Sequence, residues 1–176
     1  MTRASALRTL LDDDDVRSIS RRYFISNGFD GTLTSIGIVV GAYMSGVADG
    51  ITVFTIGLGA AVGLGTSGVW SVWEIERAEK QAELIRLERA MLTDLSDTRA
   101  EKKRTSARKI NAVASGVGPI IGIVLPLLPF LLHGAVFTLL EAVLVAVGIG
   151  VAVLFLFGAY LGSISKQNVI VAGVRM

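Results

Sequence analysis

The chain has 176 residues, 52% of them hydrophobic, and a formal net charge of +2 at neutral pH. Its mean hydropathy of +0.62 lies well above that of a soluble domain, so the composition predicts a membrane protein. No cysteine is present, which excludes disulfides, thiolate metal sites, iron–sulfur clusters and cysteine nucleophiles.

Four long apolar segments are predicted to span the membrane, at about 27–48, 51–73, 110–132 and 134–162. A helix needs roughly 20 residues to cross a bilayer. A very short link, "ADG" at 48–50, joins the first and second segments, and another, "HG" at 133–134, joins the third and fourth. The sequence therefore predicts an all-α bundle of four transmembrane helices, arranged as two antiparallel hairpins over residues 25–73 and 110–162.

Lysine and arginine are distributed asymmetrically along this predicted topology. Five lie in residues 1–24, ten in 74–109 and two in 163–176, and neither short link contains one. Because cytoplasmic loops are enriched in basic residues, these three segments are predicted to face the cytoplasm. No secretory signal is predicted, and the basic residues are explained by topology, so no nucleic-acid partner is expected.

Residues 74–109 lack glycine and proline, which predicts a cytosolic helical extension of the second span with a bend at 93–98. Glu76, Glu79 and Glu83 fall at i, i+3 and i+7, on one helix face. Carboxylates so close repel each other unless a cation lies among them, and oxygen ligands suit divalent metal ions. The alternative is a solvated face neutralised by pairs such as Glu76 with Lys80.

Two acids stand inside predicted spans, where a charge is costly unless it is paired or hydrated. Asp30 lies near the cytoplasmic mouth of the first span. It is either a helix cap or, at the entrance of a pathway, an oxygen ligand or proton carrier. Glu141 lies near the opposite end of the fourth span. It is either a side chain that reaches the outer interface or a candidate proton relay.

Glycines four residues apart recur in all four predicted spans. Such pairs let membrane helices approach closely, either within one chain or between two chains. They are Gly37 and Gly41, Gly59 and Gly63, Gly118 and Gly122, and Gly158 and Gly162. No phosphate-binding loop, histidine-based metal motif or activated nucleophile is found, so no enzyme is predicted.

Three stretches together resemble the vacuolar iron transporter family: "RRYFISNGFDGTLTSIGIVVG" at 21–41, "GIVLPLLPFLL" at 122–132 and "LFGAYLGSISKQNVIVAGVRM" at 156–176. The resemblance implies a homodimer that exports Fe²⁺, or Mn²⁺, from the cytosol in exchange for protons, with no bound cofactor. It implies the cell membrane in a prokaryote or the vacuolar membrane in a eukaryote. It also implies that Asp30 lines the path and that Glu76, Glu79 and Glu83 gather metal.

The sequence departs from the family pattern at two places. Gly68 stands where the family has a methionine, and Val72 stands near the position of an expected glutamate, for which Glu74 is the candidate substitute. The family has five spans, so a truncated chain or a four-span relative is expected. The alternative to transport is accordingly a membrane scaffold that keeps the packing residues of the family without its ligands.

Overall fold

The computed structural model of the protein describes residues 14–91 and 99–176, with side chains throughout these ranges except at 15, 91 and 99–106. The elements are α1 (Asp14–Met44), α2 (Gly50–Met91), α3 (Arg99–Leu127), a 3₁₀ turn (Leu128–Leu132), α4 (Leu139–Ile164) and α5 (Val169–Val174). The all-α prediction is confirmed for these residues. The bend predicted at 93–98 lies outside them.

Three helical segments in the described chain are long and apolar enough to cross a membrane: Gly50–Ala90, Ala107–Leu132 and Leu139–Ile164. They contain the second and third predicted spans and most of the fourth, whose predicted start at 134 is wrong because the helix begins at Leu139. α1 does not meet the same criterion, because polar residues interrupt its apolar ones. Two of these, Thr32 and Ser35, are buried and donate hydrogen bonds to backbone oxygens of their own helix at 2.8 Å. The crossing of the membrane by α1 stays a prediction.

α3 is the central helix of the bundle. It packs along α1 and α2 and also contacts α4. α1 and α3 run parallel, since Gly28 lies beside Gly118 and Thr32 lies beside Gly122. α1 makes far more contact with α3 than with α2. The first predicted hairpin is therefore held together mainly through α3.

The two ends of the bundle differ in charge. The link end carries residues 45–49 and 133–138, which contain no lysine or arginine. The basic end lies opposite, where α1 begins and α4 ends. The buried apolar core lies toward the link end and includes Val39, Val53, Leu127, Phe130 and Ala142.

The α1–α3 crossing depends on glycine. Gly28 and Gly31 of α1 face Gly118, Pro119 and Gly122 of α3. A Cβ atom on Gly31 would lie 2.6 Å from both the Cα and the carbonyl oxygen of Pro119, and one on Gly122 would collide with the carbonyl oxygen of Gly28. Because these obstacles are backbone atoms, no change of rotamer can remove them. The small residues therefore allow the close approach of the two helices.

The remaining glycine pairs fall into two groups. Gly158 and Gly162 of α4 pack against Ala172 of α5. The other pairs face open space, because a Cβ atom added there would meet nothing within 4 Å: Gly37 and Gly41 on α1, and Gly59 and Gly63 on α2. Intramolecular packing thus explains two of the four pairs and leaves an unpartnered face on α1 and on α2.

Gly31→Ala and Gly148→Ala should change stability in opposite directions. The first forces a methyl group into the backbone of α3 and should destabilise the fold by about 1–3 kcal/mol. At Gly148, inside α4, a Cβ atom meets nothing within 4 Å, so alanine should stabilise the helix by roughly 0.5–1 kcal/mol. Thermal unfolding of both variants in detergent measures the difference, and equal shifts would contradict the tight crossing.

Candidate functional site

Asp30 lies well inside α1, and its side chain is exposed on the outer face of the bundle. The helix begins at Asp14 and continues through Asp30 without interruption, so the alternative that Asp30 caps a helix is wrong. Its backbone oxygen accepts a hydrogen bond from Thr34 Oγ1 at 2.7 Å. Within the described residues no cation lies within ion-pair distance of its carboxylate.

The outer face around Asp30 is otherwise apolar or small. The residues 3, 7 and 11 positions after Asp30 are Leu33, Gly37 and Gly41, and all three are exposed. At 100° per residue these positions share one side of α1. We call Asp30, Leu33, Gly37, Val40 and Gly41 the open face of α1.

Glu76 is buried between α1 and α2, in contrast to the solvated face that was the alternative to metal binding. Only 2% of its surface is exposed. The Tyr23 hydroxyl donates a hydrogen bond to its Oε1 at 3.3 Å, and its Oε2 has no partner among the described residues. Glu76 therefore connects the two helices at the basic end.

The other glutamates of α2 point away from the bundle. Glu74 Oε2 lies 3.7 Å from Arg77 Nη1, and Glu83 Oε2 lies 3.8 Å from Lys80 Nζ. The Glu79 side chain is exposed. In the part of the chain that the structure describes, no three acidic or histidine side chains come together as a metal site. A single chain thus does not assemble the predicted cluster, and any metal binding by these residues stays a prediction.

A hydrogen-bonded chain joins three helices close to Glu76. Asn27 Nδ2 of α1 donates to Ser115 Oγ of α3 at 2.7 Å, and Ser115 Oγ donates to the backbone oxygen of Gly68 in α2 at 2.9 Å. A Cβ atom on Gly68 would lie 2.9 Å from the Ser115 backbone oxygen. Position 68 therefore has no room for the methionine that the family pattern places there.

An arginine and an amide complete the buried polar groups at this end. The Arg108 guanidinium lies 3.9 Å from the centre of the Trp73 ring, which fits a cation–π contact. Arg108 Nε and Asn111 Oδ1 are buried, and neither has a hydrogen-bond partner among the described residues. Together with Glu76 Oε2, they leave three unsatisfied atoms where α1, α2 and α3 meet.

This polar cluster was not predicted from the sequence. Two spacings in the sequence indicate it. Arg108, Asn111 and Ser115 fall at i, i+3 and i+7, which places them on one side of α3. Tyr23 and Asn27 fall at i and i+4 on α1. Polar residues with helical periodicity at the edge of an apolar segment indicate a buried polar contact between helices.

Glu141 caps the N-terminus of α4. Its Oε2 accepts hydrogen bonds from the Thr138 backbone N–H at 2.8 Å and from Thr138 Oγ1 at 2.9 Å, and Thr138 caps the helix in return. This reciprocal pair is a capping box, in which two otherwise unpaired N–H groups are satisfied. The arrangement explains the residue at this position, and its proton-relay role stays a prediction.

These features define the class of the protein: an integral membrane helical bundle with an acid on the outer face of its first helix and a long charged extension of its second. The family model described as "VIT family" matches residues 72–176. An uncharacterized protein of Methanocaldococcus jannaschii is 35% identical over 158 residues, which cover 88% of this chain and 80% of that protein. No solved structure matches.

The chain belongs to the VIT family, the vacuolar iron transporters. This membership confirms the resemblance found in the sequence, and it indicates metal-ion transport across a membrane. It is consistent with the prediction that the protein is not an enzyme.

Ser115→Ala should destabilise the bundle, because it leaves the Asn27 amide and the Gly68 carbonyl without their shared partner. An orphaned buried polar group costs about 1–3 kcal/mol. Ser67→Ala is the matched control, since Ser67 is exposed on α2. Thermal unfolding in detergent compares the two variants, and an unchanged midpoint in Ser115→Ala would show that the hydrogen-bonded chain contributes nothing to stability.

Proposed function

We propose that the protein is a homodimer that exports Fe²⁺ or Mn²⁺ from the cytosol in exchange for protons, with Asp30 as the ligand at the mouth of the path. The observation that carries the proposal is the exposure of Asp30 on the open face of α1. A carboxylate in that position needs either water or a partner.

The cost of exposure to lipid favours a partner. An ionised acid facing hydrocarbon costs a few kcal/mol, and such residues nearly always face a bundle interior or a hydrated cavity. Among the residues that the structure describes, the open face of α1 is exposed on the outside of the bundle. A second copy placed against this face would enclose Asp30 between the two chains.

The glycines of the open face fit such an interface. Cβ atoms at Gly37 and Gly41 would meet nothing within 4 Å, so another helix could approach the α1 backbone closely there. A two-fold axis through this face would bring the two copies of Asp30 near each other. Two carboxylates and water are a suitable ligand set for a hard or borderline divalent ion.

Proton coupling follows from the same carboxylates. Two acids held close together cannot both stay ionised without a compensating charge, so either a proton or a metal ion must neutralise them. Release of the metal therefore favours uptake of a proton. This competition provides an exchange mechanism that requires no further titratable group.

The exposed glutamates of the α2 extension are proposed to collect the ion before it reaches Asp30. Glu74, Glu79 and Glu83 are exposed and could contribute with residues of a second chain. Glu76 differs, because its burial against Tyr23 removes it from solvent. We assign the collection of the ion mainly to the exposed residues and only a minor part in it to Glu76.

The proposed orientation places the basic end in the cytosol, by the bias of lysine and arginine toward that side. Both described links between spans, residues 45–49 and 133–138, lack basic residues. The metal would enter from the basic end, near the α2 extension, and leave at the link end.

Asp30→Asn should lower Fe²⁺ flux into proteoliposomes by about tenfold or more, the loss expected when a metal site is disturbed. Flux and internal pH are recorded together with a metal-sensitive and a pH-sensitive dye. Asp14→Asn is the control, because Asp14 is an exposed acid at the start of the same helix. Unchanged flux in Asp30→Asn would remove Asp30 from the mechanism, and a folded wild-type protein without flux would favour the scaffold.

Gly37→Cys should form a disulfide-linked dimer in membranes under mild oxidation. The chain has no cysteine of its own, so a single introduced thiol can pair only with its copy, and pairing requires Cα atoms within about 7 Å. Leu144→Cys, on the exposed surface of α4, is the control. Equal cross-linking at both positions, or none at Gly37, would contradict an interface at the open face.

A further inference from the structure

A cavity at the basic end lies between α1 and the end of α4. Its volume is about 450 Å³, and its polar lining comprises Ser18, Arg21, Arg22 and Ser26 of α1. Its lining shares no residue with the open face of α1, with the acids of α2 or with the buried polar cluster, although the Arg22 guanidinium lies 5.7 Å from the centre of the Tyr23 ring. None of the roles proposed above uses it.

The two charged side chains of the lining lie on the part of α1 nearer the basic end. Ser18 and Ile19 precede Arg21 and Arg22, and the residues that follow further into the bundle are Ile25, Ser26 and Phe29, with Leu161 of α4 and Met176 beside them. From Arg22 to Phe29 the helix rises roughly 10 Å, at 1.5 Å per residue. Charge at the membrane surface followed by an apolar wall at greater depth matches the order of a phospholipid headgroup and its acyl chain.

The charged side chains that line the cavity are both positive, and no described carboxylate side chain pairs with them. Neither Arg21 nor Arg22 makes an ion pair with a described carboxylate, and the lining includes no acidic side chain. Arg21 also lines an adjoining cavity of about 330 Å³ together with Arg17 and Tyr160. Three arginines thus lie on the same part of α1.

We propose that this cavity binds the headgroup of an anionic phospholipid from the leaflet at the basic end. The guanidinium groups of Arg21 and Arg22 hold the phosphate, since arginine donates two parallel hydrogen bonds to phosphate oxygens. The serine hydroxyls donate to the remaining headgroup oxygens. The acyl chain lies along Phe29 and Leu161. Basic pockets between transmembrane helices at the cytoplasmic surface bind such headgroups in the same manner.

The test measures stabilisation by lipid. The full chain is purified in a neutral detergent, and its thermal unfolding is followed while phosphatidylglycerol or phosphatidylcholine is added in mixed micelles. Phosphatidylglycerol should raise the midpoint more than phosphatidylcholine does. In the Arg21→Gln/Arg22→Gln variant its apparent affinity should fall roughly 30-fold, as expected for the loss of two arginines at a membrane surface.

The control variant is Arg86→Gln/Arg89→Gln, which removes the same charge from the exposed extension of α2. It should keep the full response to phosphatidylglycerol. An equal loss in both variants would reduce the effect to net charge and overturn the proposal. So would an equal response to inorganic phosphate, which would identify a site for a free anion.

A second measurement is independent of whether the variant folds well. Native mass spectrometry of the wild-type protein, extracted from vesicles of equal phosphatidylglycerol and phosphatidylcholine, should show one phosphatidylglycerol retained per chain. Retention of both lipids in the ratio supplied would overturn the assignment.

Discussion

The close approach of α1 to α3 is the constraint on which the rest of the bundle depends. Gly28 and Gly31 meet Gly118, Pro119 and Gly122 at backbone distance. In a bilayer, apolar side chains gain little by leaving lipid, so helices associate through van der Waals contact and hydrogen bonds between them. Because α1 occupies one side of α3, α2 packs on another, and α4 closes against both α1 and α3.

The same crossing determines which side of α1 stays open. A helix turns 100° per residue, so fixing Gly31 against Pro119 directs Asp30 away from α3. Gly37 and Gly41 then lie on the side of Asp30, where no atom would meet a Cβ within 4 Å. The position of the acid on the outer surface is thus a consequence of packing between glycines, and it requires no interaction of the carboxylate itself.

The helical fold and the family could be predicted from the sequence, because long apolar segments and the motifs at 21–41 and 122–132 are local patterns. Whether each polar side chain faces the bundle or the outside could not be predicted in this way. Glu76, Glu79 and Glu83 share one side of an isolated helix, yet only Glu76 is buried. α2 has 42 residues and extends beyond its contact with Tyr23, so the bundle covers one of the three positions. Helical spacing alone contains no information about where that contact ends.

Separating the helices would have a different free-energy cost at each end of the bundle. At the link end, opening would expose the packed side chains of Val39, Val53 and Phe130. At the basic end it would hydrate the unsatisfied atoms of Glu76, Arg108 and Asn111. An unpartnered buried polar group costs about 1–3 kcal/mol, which water would partly recover. Hydration of these atoms would therefore offset part of the cost of separating the helices at the basic end, the side from which the proposed orientation admits cytosolic metal.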